Sequence, residues 1–124
     1  MHITDNSIDP TALEKIRELQ CEGEPDIVQE FIDIYLVKTP PLVENLRKAI
    51  GLSDSKRIQY LAHTIKGSSA LIGAISMVKL SAMLEERSCK GLLSGSEALF
   101  EQLEAEFQHV SARFMEMLSF EQVH

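Results

Sequence analysis

His63, Lys66 and Gly67 could together do one kind of chemistry, because they put a nucleophile, a cation and a gap within about one turn of helix. Around them Ile58, Leu61, Ala62, Ile65 and Ile72, with small Ser69, recur at spacings of three and four, so they form one buried stripe. Rotating by about 100° per residue from that stripe puts His63 and Gly67 on the opposite, solvent side. Lys66 flanks them, at i+3 from His63. An ordinary imidazole titrates near pH 6.5, so an exposed one is mostly neutral in a neutral medium. A neutral ring nitrogen can attack phosphorus without a buried base. The N–P bond that forms is labile, which suits relay rather than storage. The Lys66 ammonium would offset charge on incoming phosphoryl oxygens and would favour a neutral ring.

Gly67 is the informative residue. Glycine inside a helix costs about 0.8–1 kcal/mol relative to alanine. A local rule broken on an exposed face points to function. Gly67 stands one turn beyond His63, so its missing side chain leaves bare backbone where a partner could approach the imidazole. The bland alternatives are a tolerated surface glycine, a solvated histidine and a solvated lysine; the combination weighs against them. Gln59, at i−4 from His63, is near enough to touch a phosphoryl group, but plain surface is its favoured reading. Ser68 and Ser69 fall toward the packed side. Their expected job is to be small and let a neighbouring helix approach; a hydroxyl bond that orients the site is the lesser reading.

The run His63-Thr64-Ile65-Lys66-Gly67-Ser68-Ser69, followed by Gly73-Ala74, resembles the signature of histidine phosphotransfer (HPt) domains. The usual form is H-T-L-K-G-S-S, three residues, then G-A; here Ile65 replaces the leucine. The resemblance in helix pattern extends from about Ile8 to Leu118. It implies a carrier that moves phosphoryl groups between aspartates of receiver domains. His63 would be the phosphoacceptor, through Nε2; residue types alone leave the nitrogen open. The partners implied are receiver domains of response regulators or a hybrid sensor histidine kinase. Such a receiver would bring the phosphorylatable aspartate and its bound Mg²⁺, since this chain has no recognisable acidic magnesium cluster. A rival reading from another class is a helical docking module that binds a signalling partner without phosphorylation.

Other chemistries find less support. There is no Walker A loop, Gly-rich nucleotide motif or H-E-x-x-H, so no route from ATP is visible and an autokinase is not expected. Of the other histidines, His2 and His124 are terminal and His109 projects from the polar side of the last helix, so no metal site is expected. A di-iron or haem bundle fails for want of paired Glu-x-x-His motifs. Glu85-Glu86 reads as solvated helix surface. The net charge of −7 argues against nucleic acid as the main partner. The longest apolar runs fall far short of the roughly 20 residues of a membrane span. No signal-peptide layout opens the chain. Cys21 and Cys89 match no zinc or redox spacing, and a helical chain of this size needs no disulfide, so a reducing cytoplasm is the expected setting. Cys89 could equally be a small buried hydrophobe.

The elements that must position these residues are all helical. The 124 residues, 44% hydrophobic and 25% charged, suit one domain with a single core. Residues 1–8 are polar and expected to be loosely held. Asp9-Pro10 reads as a cap and first helical residue, with Leu13, Ile16 and Leu19 inward. Glu24-Pro25 opens a second helix whose stripe is Ile27, Phe31, Ile34, Tyr35, Leu42, Leu46, Ala49 and Ile50. Pro40-Pro41 interrupts that stripe, which resumes in phase, so one long kinked helix is expected. Gly51 closes it. Asp54 caps the His63 helix, which runs to about Ile72 before a break at Gly73-Ala74. A fourth helix spans roughly Ile75 to Lys90, with Leu80, Met83 and Leu84 inward. A fifth starts near Ser96, with a seam of Phe100, Leu103, Phe107, Val110, Phe114 and Met117. No period-two run suggests a sheet. The expected fold is all-α: an antiparallel up-and-down four-helix bundle with a short N-terminal accessory helix, one domain over 1–124 with its core at about 8–118, acting as a monomer. A free-standing protein and a domain of a hybrid kinase would look alike in this sequence.

Overall fold

The first three helices begin where the sequence supplies an aspartate cap. The computed structural model describes residues 6–123, with side chains to residue 119, and contains five helices. The Asp9 carboxylate accepts from the Thr11 amide at 3.0 Å, and Pro10 follows it to open α1 (Pro10–Arg17). α2 (Ile27–Gly51) opens at Asp26, whose carboxylate accepts from the amides of Val28 and Gln29. The expected start at Glu24-Pro25 is therefore corrected by two residues: the short Asp26 side chain reaches the free amides of the first turn. Gln20 stitches the connection, donating to the carbonyls of Cys21, Glu24 and Pro25 and accepting from the Ile27 amide at 2.8 Å. Asp54 caps α3 (Ser55–Ile72) through the Arg57 amide, as expected. α4 (Ile75–Cys89) and α5 (Ser96–Val123) complete the chain. α2 continues through Pro40 and Pro41, both exposed, as one helix.

The turn between α3 and α4 is built on Gly73. Its φ of +82° is left-handed, a conformation that costs a residue with a Cβ about 1–2 kcal/mol. A Cβ there would also lie 2.7 Å from the carbonyl oxygen of Asp9. That space is used: the Asp9 amide donates to the Gly73 carbonyl at 2.7 Å, and Ile8 forms an isolated bridge to Ala74. The N-terminal segment is thus pinned to the end of the site helix. The expectation of a loose segment over residues 1–8 fails at buried Ser7 and bridged Ile8; His2 and His124 lie outside the described residues.

The bundle closes as a ring. α2 packs on α3, α3 on α4, α4 on α5 and α5 on α2, while α1 lies against α2 and α3. This is the expected all-α four-helix bundle with an accessory helix. Ile32, Leu46, Ile58, Ile65, Met77, Leu84, Leu103 and Phe114 are fully buried at its centre. The stripe read on α3 is buried throughout, and the α5 seam points inward. On α2 the seam is rotated from the expected one. Val28, Ile32, Tyr35, Thr39, Val43 and Leu46 are buried, Ile27, Phe31 and Leu42 are half-buried, and Ile34 is exposed. α2 carries neighbouring apolar pairs such as Phe31-Ile32, so its composition does not say which member of a pair faces the core. On α4 the centre is Met77, Ser81, Leu84 and Ser88, whereas Met83 is exposed. Leu19 is exposed because α1 ends before it. Cys21 and Cys89 are exposed free thiols, so the buried reading of Cys89 is corrected.

Candidate functional site

The buried stripe of α3 forces its other face outward. His63 keeps 66% of its side-chain surface, and Gly67 and Ala70 are exposed along the same side. A Cβ built on Gly67 meets nothing within 4 Å, so the space beside the imidazole is open. Lys66, between the two, is only 33% exposed, because it leans toward α4.

What it leans on is Glu85. One Glu85 oxygen, Oε2, lies 2.8 Å from His63 Nδ1, and the other, Oε1, pairs with Lys66 Nζ at 2.6 Å. Lys66 holds the Glu85 carboxyl below its ordinary pKa, His63 adds to the effect, and partial burial opposes it. The carboxylate is therefore ionised at neutral pH and can only accept hydrogen bonds. In the neutral ring, Nδ1 must then carry the proton, which leaves the lone pair on Nε2. The reading of Glu85-Glu86 as solvated surface is corrected for Glu85: it is half-buried and joins the His63 imidazole to the Lys66 ammonium. Glu86 is exposed and pairs with Lys90 at 3.0 Å.

Gln59 is half-buried and lines a polar hollow of about 300 Å³ together with Lys66, Glu85, Glu86, Cys89 and Lys90. It is thus near the carboxylate clamp rather than plain surface. Ser68 is half-buried and donates to the Ile65 carbonyl of its own helix. Ser69 is fully buried, and its Oγ lies 2.7 Å from the Tyr35 hydroxyl. The small-residue reading of Ser69 therefore needs an addition, a hydroxyl bond that ties α3 to α2. Burial pushes the Tyr35 pKa up to about 12, with the Ser69 bond opposing. Edge contacts from the Tyr35 ring to Phe107 and Phe114 carry the link on to α5.

On the side of α3 away from Glu85, an apolar groove of about 380 Å³ runs between α2 and α3. Phe31, Ile34, Lys38, Leu42, Thr64 and Leu71 are among its walls. Ile34 and Leu71 are both exposed there, and Ile34 is the one that its helix pattern placed inward. His109 is exposed on α5, and no group of three potential metal ligands occurs among the described residues.

Comparison with known proteins settles the family. The family model described as Hpt domain matches residues 30–113. This chain belongs to the Hpt domain family. Histidine-containing phosphotransfer protein 4 of Arabidopsis thaliana is 33% identical to it over 95 residues, which is 74% of this chain and 74% of that protein. Histidine-containing phosphotransfer protein 2 of the same plant is 24% identical over 110 residues, 86% of this chain and 70% of the relative. Among solved structures, histidine-containing phosphotransfer protein B (HptB) of Pseudomonas aeruginosa superposes with a TM-score of 0.83 at 25% identity, covering 92% of this chain and 96% of that one. The helical bundle is the fold of that Hpt protein, and the role of this chain is phosphotransfer in a phosphorelay. As an Hpt protein it is a phosphotransfer carrier rather than a kinase, and Hpt proteins in phosphorelays interact with receiver domains in general.

Proposed function

We propose that His63 is the phosphoacceptor, that Nε2 is the atom that carries the phosphoryl group, and that the group passes reversibly to and from receiver-domain aspartates. The observation that carries the reading is the Nδ1 contact to Glu85, which leaves the nucleophilic lone pair on an exposed ring beside the open backbone of Gly67. In the forward step the Nε2 lone pair attacks phosphorus, an N–P bond forms, the acyl-phosphate P–O bond breaks, and its electron pair leaves with the aspartate carboxylate. Such a transfer needs positioning and charge neutralisation more than covalent help from the protein. Lys66 supplies a cation at i+3 and Gly67 the approach, while Gln59, Ser68 and Ser69 support the geometry.

The chain brings no cofactor of its own in this reading; Mg²⁺ is held by the receiver. The source is a receiver of a response regulator or of a hybrid sensor histidine kinase, since the sequence has no ATP-binding or autokinase motif. The apolar groove between α2 and α3 adjoins Thr64 and Ser68 and gives a receiver an apolar surface next to His63. The proposal has the whole chain act as one domain and as a monomer, because one exposed histidine face suffices for a two-protein exchange, and it sets the reaction in the cytoplasm.

Incubation with a phosphorylated receiver domain and Mg²⁺ tests the reading. The expected result is an acid-labile, alkali-stable label on this chain. Binding without label makes the chain a docking module instead.

A further inference from the structure

The chain carries a net charge of −7, yet α3 holds Lys56, Arg57 and Lys66 and no carboxylate. α5, by contrast, has six carboxylates to one arginine. Lys66 is paired with Glu85, whereas Lys56 and Arg57 are exposed and form no ion pair among the described residues. Between those two cations and His63 stands Tyr60, 65% exposed and the only aromatic side chain left exposed among the described residues. We propose that Tyr60, with Lys56 and Arg57, selects the receiver: the ring is a docking anchor, and the two cations draw in a receiver whose surface around the phosphorylated aspartate is acidic. This rests on the assignment of His63 as the phosphoacceptor.

The placement follows from helix geometry. At about 100° per residue, Lys56, Gly67 and Tyr60 stand about 20°, 40° and 60° round α3 from His63, all to the same side. Thr64 and Leu71 lie farther round that side and line the apolar groove. Lys66 and Gln59 fall to the other side, where they line the polar hollow against α4. Helical side chains tilt toward the N-terminus, so the imidazole leans toward the turn that carries Tyr60. A partner that reaches the imidazole therefore meets the phenol ring. The Thr64 hydroxyl donates to the Tyr60 carbonyl at 3.0 Å and is held by its own helix.

Two physical effects give this patch its role. Tyrosine presents a large amphipathic surface at low cost in side-chain entropy, and tyrosine and arginine are enriched among the residues that dominate interface energies. The charge acts at longer range. A chain of net −7 repels an acidic partner over most of its surface, and the acyl phosphate adds negative charge to the donor. Attraction is confined to the face that holds His63. The nearby carboxylates are engaged: Asp54 caps α3 through the Arg57 amide, Glu85 holds Lys66, and Glu86 pairs with Lys90. Lys38 is the one charged side chain on the groove wall. Such an arrangement orients the encounter and acts on association rate and on the choice of partner.

The test compares wild type with Tyr60→Ala, Tyr60→Phe and the Lys56→Glu, Arg57→Glu double variant. Circular dichroism establishes that each is folded, and a small-molecule phosphodonor, which needs no docking, should label all four alike. Single-turnover transfer is then timed from two phosphorylated receiver domains, one acidic and one basic around its aspartate, against receiver concentration and salt. Wild type should take the group faster from the acidic receiver at low salt, with an advantage that shrinks as ionic strength rises to about 0.15 M. Tyr60→Ala should raise the half-saturating receiver concentration about tenfold while the limiting rate holds. Tyr60→Phe keeps the ring and should stay near wild type. The double variant should lose or invert the preference between receivers. A half-saturating concentration unchanged in Tyr60→Ala, or raised as much in Tyr60→Phe, overturns the anchor; one receiver preference and one salt response shared by wild type and the double variant overturn the steering. A wild-type protein that takes no label on His63 from the small donor overturns this inference together with the assignment beneath it.

Discussion

The Tyr35 hydroxyl and Ser69 Oγ lie 2.7 Å apart in the core, joining α2 to the site helix two residues beyond Gly67. Both side chains are buried, so neither can replace the other with water. Tyr35→Phe strands the Ser69 hydroxyl and is expected to cost about 1–3 kcal/mol in denaturant unfolding. The Tyr35→Phe, Ser69→Ala double variant should lose less than the sum of the two single changes. Additive losses would show that the pair does not act as a bond. Burial raises the Tyr35 pKa to about 12, with the Ser69 bond opposing, so the stability that comes from burying the neutral phenol is fully present below the ordinary phenol value near 10 and is lost as pH rises through about 12. Phenolate absorbance should accordingly show one tyrosine still protonated above pH 10.

Much of this was legible in the sequence, and the misses share a cause. The α3 stripe reads correctly because its apolar residues are sparse and strictly spaced, and that fixes the outward direction of His63 and Gly67. Asp9, Asp54 and Gly73 are local signals, so the helix ends they mark also read correctly. Glu85 does not, because it meets His63 from another helix across 22 residues of sequence. Periodicity reports one helix at a time and cannot tell which exposed carboxylate a neighbour brings back to the site. Met83, read as inward, is exposed for the same reason, while Ser81 is buried: periodicity on one helix does not show how its neighbours pack on it.

Gly67 separates stability from function. With nothing within 4 Å of an added Cβ, Gly67→Ala should stabilise the helix by up to about 1 kcal/mol. Gly67→Gln should melt no lower than wild type, yet take phosphoryl groups from a receiver far more slowly, since its side chain stands where the partner backbone must close. Small-molecule donors should still label the protein. A melting temperature lower by many degrees would mean that Gly67 packs, and normal rates with both donors would mean that no close approach exists there.

Lys66→Ala should slow transfer without abolishing it. One charged contact to the phosphoryl oxygens is worth about 1–3 kcal/mol, or about five- to 160-fold in rate. Lys66→Arg keeps the charge and should recover part of the loss. Unchanged single-turnover rates for the alanine variant would return Lys66 to ordinary surface.

The Glu85 clamp also predicts how stability follows pH. Its folded pKa is depressed by Lys66 and His63, so the contribution is present above the ordinary carboxylate value of about 4.5 and is lost as pH falls through the lower folded value. Glu85→Gln should be less stable than wild type at pH 7 by about 1 kcal/mol or less, as befits a partly exposed pair. Melting curves from pH 7 downward should show that difference shrink below about pH 4.5. A constant difference would detach the ionisation of Glu85 from stability.

The central claim is that His63 is the phosphoacceptor, and it is tested most directly by receiver-driven labelling of His63→Gln beside wild type. The side chain is 66% exposed, so its replacement leaves no cavity and the melting temperature should hardly change. The account predicts a folded variant that takes up no acid-labile label from a phosphorylated receiver, while wild type is labelled. A folded His63→Gln protein that is labelled at the wild-type rate would contradict it and place the acceptor on another residue.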